Sequence, residues 1–171
     1  RYYGANAGVM VTASHNPAKY NGYKAYGPDG CQMTDDAAAV VYAEIQKTDV
    51  LQGAKLISFE EGLEKGLIQY VGEDCKEALY DAIKACSVRP GLCKTAGLKL
   101  VYSPLNGSGL VPVTRVLHDI GIDDITIVPQ QQYPDGNFPT CPYPNPEIFE
   151  ALRLGLELAE KSGADLMLAT D

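Results

Sequence analysis

The chain lacks the residue types that several common functional sites need. It has no tryptophan, only two histidines (His15 and His118), and five cysteines with no Cys-x-x-Cys pair among them. Zinc sites are built from closely spaced cysteines and histidines, so a zinc-binding module is not expected. An odd number of cysteines without such a pair instead indicates reduced thiols, which predicts a cytoplasmic protein.

Positive charge and long apolar runs are also scarce. The 14 Lys and Arg residues face 22 Asp and Glu residues, which gives a formal net charge of −8. Nucleic acids and anionic membranes select basic surfaces, so neither is expected as the main partner. No apolar run approaches the roughly 18 residues that a membrane-spanning helix requires. No charged leader followed by an apolar segment opens the chain.

Strand-like and helix-like segments alternate along the 171 residues, which predicts an α/β protein. The Pro90-Gly91 pair marks a linker at 87–95, and the chain is therefore predicted to contain two pieces, residues 1–95 and 96–171. Strands are predicted at 8–12 and 23–26, from residue 98, and at 125–128 and 166–171. An extended stretch is predicted at 55–59. Helices are predicted at 34–47, 73–86, 111–119 and 147–161.

The most informative segment is 12–24, which reads TASHNPAKYNGYK. It follows the apolar run 8–12, which is predicted to be a buried strand, and its Asn, Pro and Gly residues mark a turn. Ser14 therefore lies where a strand ends, and ligands of open α/β sheets bind at strand ends. A serine hydroxyl becomes reactive only when a base, a metal or a prior modification activates it.

Two kinds of chemistry can be considered for Ser14. The Gly-x-Ser-x-Gly elbow of hydrolases is absent, because Ala13 and His15 flank the serine. A phosphorylated serine fits better, since His15, Lys19 and Lys24 could hold the charge of the phosphate. The remaining alternative is a turn that only closes the strand and has no chemical role.

Segment 12–24 resembles the active-site loop of the α-D-phosphohexomutases, the phosphoglucomutase and phosphomannomutase superfamily. Their signature is Thr-(Ala/Gly)-Ser-His-Asn-Pro followed by Asn-Gly-(Tyr/Phe)-Lys, which this chain matches. The resemblance implies that Ser14 carries the transferable phosphate and that Lys24 or His15 handles a proton. It also implies that Thr12, Asn16 and Lys19 contact the substrate.

Two further segments are similar to the long phosphoglucomutase and phosphopentomutase branch of that family. Residues 98–110 read LKLVYSPLNGSGL, and residues 128–147 read VPQQQYPDGNFPTCPYPNPE. In the first, Asn106 stands where the family usually has histidine. Taken alone, Gly107 and Gly109 predict a tight strand-to-helix turn that needs no ligand, although their amides could also bind an anion.

The last residues, 166–171, read LMLATD and resemble the beginning of the family's Asp-x-Asp-x-Asp-Arg metal loop. The resemblance implies Mg²⁺ as a cofactor, with Asp171 and the phosphate on Ser14 among its ligands. Carboxylate and phosphate oxygens are ligands that Mg²⁺ accepts. We expect the chain to be an excised piece of a longer protein.

Together these resemblances imply a three-layer α/β/α fold with mixed sheets. Residues 1–95 would be the later part of family domain 1, and 96–171 the earlier part of domain 2. The parent enzyme would interconvert sugar 1-phosphates and 6-phosphates through phosphorylated Ser14 and a bisphosphate intermediate, with glucose 1,6-bisphosphate as activator.

Several alternatives to this expectation remain open. The parent could be a phosphopentomutase or a phosphomannomutase, because the residues that read the sugar are not in this chain. The parent could also be a sugar-phosphate-binding module without transfer chemistry. The isolated chain is expected to be catalytically silent, with the missing domains as its partners and with pairing of two copies as a homodimer left open.

Overall fold

The structure is a computed structural model and describes residues 1–49 and 51–170. The protein belongs to the α/β class, as predicted. None of the helices within these two ranges is both long and apolar enough to cross a bilayer. In chain order the elements are β1 (Gly8–Val11), β2 (Tyr23–Tyr26), α1 (Asp35–Gln46), α2 (Phe59–Glu64), α3 (Glu73–Ala85), α4 (Leu92–Ala96), β3 (Lys99–Ser103), α5 (Leu110–Asp119), β4 (Asp124–Ile127), a 3-10 turn (Pro129–Gln131), α6 (Phe149–Ser162) and β5 (Leu166–Ala169).

The chain divides into two compact units. Unit 1 consists of Arg1–Thr12 and Tyr23–Glu77, and unit 2 consists of Ala13–Gly22 together with the chain from Ala78 onward. This division differs from the boundary predicted after residue 95, and the assignment of family domains to residues 1–95 and 96–171 stays a prediction.

Unit 1 contains an antiparallel pair of strands, β1 and β2, in which Gly8 lies opposite Tyr26 and Met10 opposite Lys24. The prediction that β1 is buried is wrong, since Val9 is 57% exposed and Val11 66% exposed. Helix α1 forms where it was predicted, but its apolar stripe buries no residue. A two-stranded sheet is too small to form a core of its own, and the helices of unit 1 do not cover both of its faces.

Helix α2 was not predicted, and the extended stretch expected at 55–59 overlaps it only at Phe59. It begins after Ser58, whose Oγ accepts a hydrogen bond from the backbone N–H of Glu61 at 3.0 Å. Serine at the N-cap with glutamate three residues later is the pattern of a capping box. This signal in the sequence could have identified the helix.

Unit 2 contains a parallel three-stranded sheet in the order β4-β3-β5. Helix α5 connects β3 to β4 and packs on one face, where Leu117 meets Leu100 and Tyr102. Helix α6 lies against the opposite face, where Gly155 allows close approach of Met167. The central strand is completely buried from Leu100 to Ser103. This arrangement confirms the alternating strands and helices that the sequence predicts for the second half of the chain.

An ion-pair network joins α3 to α5 within unit 2. Lys84 Nζ lies 3.1 Å from Asp119 Oδ2, and Arg115 Nε lies 3.0 Å from Asp119 Oδ1. The hydrogen bond from Lys84 lowers the pKa of Asp119 below its ordinary value, and Arg115 acts in the same direction. The carboxylate is therefore held in its charged form between the two helices.

Candidate functional site

Ser14 lies in a four-residue turn, Ala13–Asn16, within the loop that connects β1 to β2. The backbone N–H of Asn16 donates to Ala13 O at 3.2 Å and closes the turn. The φ angle of Ser14 is +55°, in the left-handed region that residues other than glycine adopt at a cost of about 1 kcal/mol. The Ser14 side chain is exposed, so a phosphoryl group on its hydroxyl would not require burial.

Other predicted residues share this ten-residue segment of unit 2. His15 Nδ1 lies 3.3 Å from Ser14 Oγ, and the donor in this pair depends on the histidine tautomer. The side-chain amide of Asn16 donates to Ala13 O at 2.9 Å. Lys19 Nζ lies 5.1 Å from the centre of the Tyr20 ring, within the range of a cation–π contact. The segment therefore combines a hydroxyl, an imidazole and a cation.

Thr12 and Lys24 belong to unit 1, at the strand ends that flank the segment. Lys24 is half-buried on β2. It borders a cavity of about 670 Å³ whose walls are largely apolar, formed by residues that include Met33, Val41 and Ile45. Such walls do not suit a phosphorylated sugar, and we assign this cavity no ligand.

The carboxyl end of the parallel sheet in unit 2 contains a buried polar network that the sequence did not reveal. Ser103 Oγ, at the end of β3, donates to Gln131 Oε1 at 2.7 Å. Gln131 Nε2 in turn donates to Thr140 Oγ1 at 3.2 Å and to Ala151 O at 3.4 Å. Gln131 is buried, but nothing in the run of three glutamines at 130–132 distinguishes it from its neighbours.

Asn106, which replaces the histidine usual at this point of the family motif, joins the loop after β3 to the loop after β4. Its backbone N–H donates to Gln131 O at 2.9 Å, and its Nδ2 donates to Tyr133 O at 2.8 Å. Its φ angle is +59°, a conformation in which asparagine is enriched. The substitution therefore has a structural role in this chain.

Gly109 is required by close packing at the same end of the sheet. A Cβ atom at this position would collide with Tyr102 Oη and Thr170 Oγ1, which are themselves 2.7 Å apart. Burial raises the pKa of Tyr102, and the bond to Thr170 offsets part of that shift. The close packing at Gly109 supports the expectation of a tight strand-to-helix turn. The hydrogen bond between Tyr102 and Thr170 joins the ends of β3 and β5.

The predicted metal ligands are only partly within the described ranges. Ser14 is described, whereas Asp171 lies outside the described residues. Across 1–49 and 51–170, no group of three or more His, Cys, Asp or Glu side chains is arranged to hold a metal ion. The set of Ser14 and Asp171 as Mg²⁺ ligands therefore stays a prediction.

The chain is similar over its whole length to known sugar-phosphate mutases. It is 33% identical over 171 residues to a phosphoglucomutase of Staphylococcus saprophyticus, covering all of this chain and 30% of that protein. It is 37% identical over 179 residues to a probable phosphoribomutase of Schizosaccharomyces pombe, covering 98% of this chain and 29% of that protein. The chain thus spans about 30% of the length of these relatives.

Solved structures show the same fold. A protein from Thermus thermophilus superposes with a TM-score of 0.74 at 24% identity, over 100% of this chain and 35% of that one. A phosphoglucomutase/phosphomannomutase family protein from Burkholderia thailandensis gives a TM-score of 0.63 at 24% identity, over 94% of this chain and 30% of that one.

Two family models match the chain in order. The model for phosphoglucomutase/phosphomannomutase α/β/α domain I matches residues 1–52, and the model for domain II matches residues 77–171, more than half of the chain. The α/β/α layering that defines domain II agrees with the helices found on both faces of the sheet in unit 2. This chain belongs to the phosphoglucomutase/phosphomannomutase family.

Proposed function

We propose that the full-length protein is a phosphoglucomutase-like isomerase that moves a phosphoryl group between the 1- and 6-positions of a sugar phosphate through Ser14. The observation that supports this most directly is the exposed Ser14 hydroxyl, which the turn Ala13–Asn16 presents beside the imidazole of His15. Family membership supports the same reaction class. Within it, glucose phosphate is the proposed substrate.

Phosphoryl transfer would begin from phosphorylated Ser14. The oxygen of a free sugar hydroxyl bonds to phosphorus while the bond from phosphorus to Ser14 Oγ breaks, and the hydroxyl proton passes through His15 or Lys24 to that Oγ. The product is a sugar bisphosphate. After it reorients, Ser14 Oγ attacks the other phosphoryl group, the ester bond to the sugar breaks, and the proton returns to the sugar oxygen.

Further residues of this chain would assist binding. Thr12 and Lys19 are the proposed substrate contacts, and the cation of Lys19 would attract the phosphate in a chain whose formal net charge is −8. The side-chain amide of Asn16 is engaged with Ala13 O, so substrate contact by this residue stays a prediction.

Mg²⁺ and glucose 1,6-bisphosphate are the proposed cofactor and activator. Asp171 and the phosphate on Ser14 would supply oxygen ligands, and the cation would offset negative charge on the transferred group. The bisphosphate would supply the first phosphoryl group to Ser14. No step above is assigned to the metal, because the described residues contain no cluster that would fix its place.

The test uses the full-length protein, glucose 1,6-bisphosphate and Mg²⁺, with the phosphorylated residue located by mass spectrometry. We expect phosphate on Ser14, and we expect Ser14→Ala to lower turnover of glucose 1-phosphate by at least about a thousandfold. Ser87→Ala is the matched control, because Ser87 is an exposed serine outside the segment. Normal turnover by Ser14→Ala would contradict the proposal, as would phosphate confined to another residue.

A pentose phosphate is the second candidate substrate, since the fission yeast relative is named a probable phosphoribomutase. Comparing kcat/KM for glucose 1-phosphate, mannose 1-phosphate and ribose 1-phosphate distinguishes these activities. For the isolated chain we propose catalytic silence, because it retains the Ser14 loop but lacks the residues that would read the sugar and complete the metal site. Turnover by the purified 171-residue chain would refute this.

We also propose a cellular compartment and partners for the protein. All five cysteines are free thiols, which supports a reducing compartment and hence the cytoplasm. Exposed apolar residues on β1 and α1 would meet the missing domains of the parent or, in the isolated chain, a second copy. Light scattering measures the molar mass of the isolated chain and of the full-length protein. A mass of two copies for the isolated chain alone would support pairing of the exposed apolar residues with a second copy.

A further inference from the structure

The turn that presents Ser14 is closed by two hydrogen bonds to one oxygen atom. Ala13 O accepts the backbone N–H of Asn16 at 3.2 Å and also the side-chain Nδ2 of Asn16 at 2.9 Å. The two donors come from a single residue, and the atoms they join lie on either side of Ser14 and His15. Asn16 is therefore the residue that fixes the two ends of this turn.

The conformation of Ser14 shows why a second bond is useful. The φ angle of Ser14 is positive, a backbone conformation that glycine adopts readily and that residues with a Cβ atom rarely adopt. A serine there is disfavoured, yet the chemistry proposed for Ser14 requires its hydroxyl. The hydrogen bond from the Asn16 side chain across the turn would stabilise the positive φ angle, which serine adopts less readily than glycine.

We propose that Asn16 is a positioning residue that holds Ser14 in its left-handed conformation and thereby aims Oγ toward the incoming phosphoryl group. This inference rests on the proposed function of Ser14. Asn16 acts through the backbone of the turn, and its Nδ2 is directed to Ala13 O. Loss of the bond would let Ser14 return to ordinary backbone angles, and a small displacement of a nucleophile lowers the rate of transfer strongly.

The same loop provides a matched control. Asn21 is also exposed, but its Oδ1 accepts the backbone N–H of Gly22 at 2.8 Å. Asn21→Asp keeps that acceptor and adds one negative charge. Asn16→Asp adds the same charge but removes the donor to Ala13 O, and Asn16→Ala removes the donor without adding charge. Comparing the three variants separates loss of the hydrogen bond from the effect of charge.

The experiment measures two quantities on the full-length protein. The first is the rate at which glucose 1,6-bisphosphate phosphorylates Ser14, followed by mass spectrometry, together with kcat and KM for glucose 1-phosphate. The second is hydrogen exchange of the peptide that contains Ala13–Asn16, which reports the turn without depending on any activity. Because Asn16 is exposed, both substitutions are expected to leave the fold intact.

We expect both Asn16 variants to phosphorylate Ser14 about tenfold more slowly, with kcat reduced to match and KM changed less than about twofold. Exchange of the turn peptide is expected to be at least about fivefold faster, whereas Asn21→Asp behaves as wild type. Unchanged exchange would overturn the inference. A raised KM with unchanged kcat would also overturn it, because that result indicates a substrate contact.

Failure of the proposed function gives a different result. If wild-type Ser14 accepts no phosphate at all, the phosphoryl-transfer proposal fails, and the positioning role fails with it. Faster exchange in the Asn16 variants would then identify the bond as a purely structural brace of the turn. Faster exchange with an unchanged rate of Ser14 phosphorylation would leave the proposed function standing and overturn the positioning role alone.

Discussion

The two compact units bury very different amounts of their apolar side chains. In unit 2, residues Leu100 to Asn106 form an unbroken buried stretch through β3 and the loop after it. In unit 1, Gly62 is the one buried residue among those described, and Val9, Val11 and Val40 are each more than half exposed. A parallel sheet with helices on both faces makes a core, whereas the two-stranded sheet and short helices of unit 1 do not.

This difference shows that apolar pattern and burial are separate properties of a segment. The run Gly8–Val11 is as β-branched and apolar as β3, and both form strands. Only β3 has neighbouring strands on both edges and helices on both faces. The stability of the isolated chain should therefore come mainly from unit 2.

The largest predicted effect compares two leucines. Leu100→Ala, at a completely buried position in β3, should lower the free energy of unfolding of the 171-residue chain by about 3 kcal/mol. Leu56→Ala, at a position 86% exposed in unit 1, should change it by less than about 0.5 kcal/mol. Urea denaturation followed by circular dichroism measures both values. Equal losses of unfolding free energy in the two variants would contradict the claim that unit 2 supplies most of the stability.

The second prediction concerns the buried polar network of unit 2. Gln131→Ala should lower the free energy of unfolding by about 2 kcal/mol, because Ser103 Oγ, Thr140 Oγ1 and Ala151 O would lose a buried partner. Gln130→Ala is the control, since Gln130 is exposed and its contact with Asn106 is made by its backbone carbonyl, which the substitution keeps. If both variants unfold at the same urea concentration, Gln131 does not act as the centre of the network.

The smallest predicted effect comes from Tyr102. Tyr102→Phe should cost about 1 kcal/mol through the lost bond to Thr170. Since burial raises the pKa of Tyr102 above 10.0, its contribution to stability is complete below pH 10 and is lost as the pH rises through the folded-state pKa. The phenylalanine variant should therefore show a shallower alkaline decline, which urea midpoints between roughly pH 8 and pH 11 would reveal. An identical decline in both proteins would contradict this assignment.

Much of the fold could be predicted from the sequence, because local patterns determine it. Helices α5 and α6 and strand β4 lie within two residues of their predicted bounds, since apolar periodicity and turn residues mark them. Exposure of β1 and α1 could not be predicted, because burial depends on layers that other parts of a protein supply. Helix α2 was predictable in principle, because the capping pattern of Ser58 and Glu61 is present in the sequence.

The candidate site was predicted in a similar, partial way. Turn residues indicated a loop around Ser14, and the matched motif assigned it a phosphate. The left-handed backbone of Ser14 and the two hydrogen bonds that Asn16 donates to Ala13 O are three-dimensional features that no spacing rule reveals. Burial of Gln131 likewise depends on which of three adjacent glutamines meets Ser103.

The most direct test of the central claim follows one phosphorus atom. Full-length protein labelled with ³²P on Ser14 is mixed with unlabelled glucose 1-phosphate and Mg²⁺ and is quenched within a single turnover. The account predicts that the label leaves Ser14 and enters glucose bisphosphate and glucose 6-phosphate at a rate no slower than kcat. Label that remains on Ser14 while product forms, or that appears only as inorganic phosphate, would contradict it.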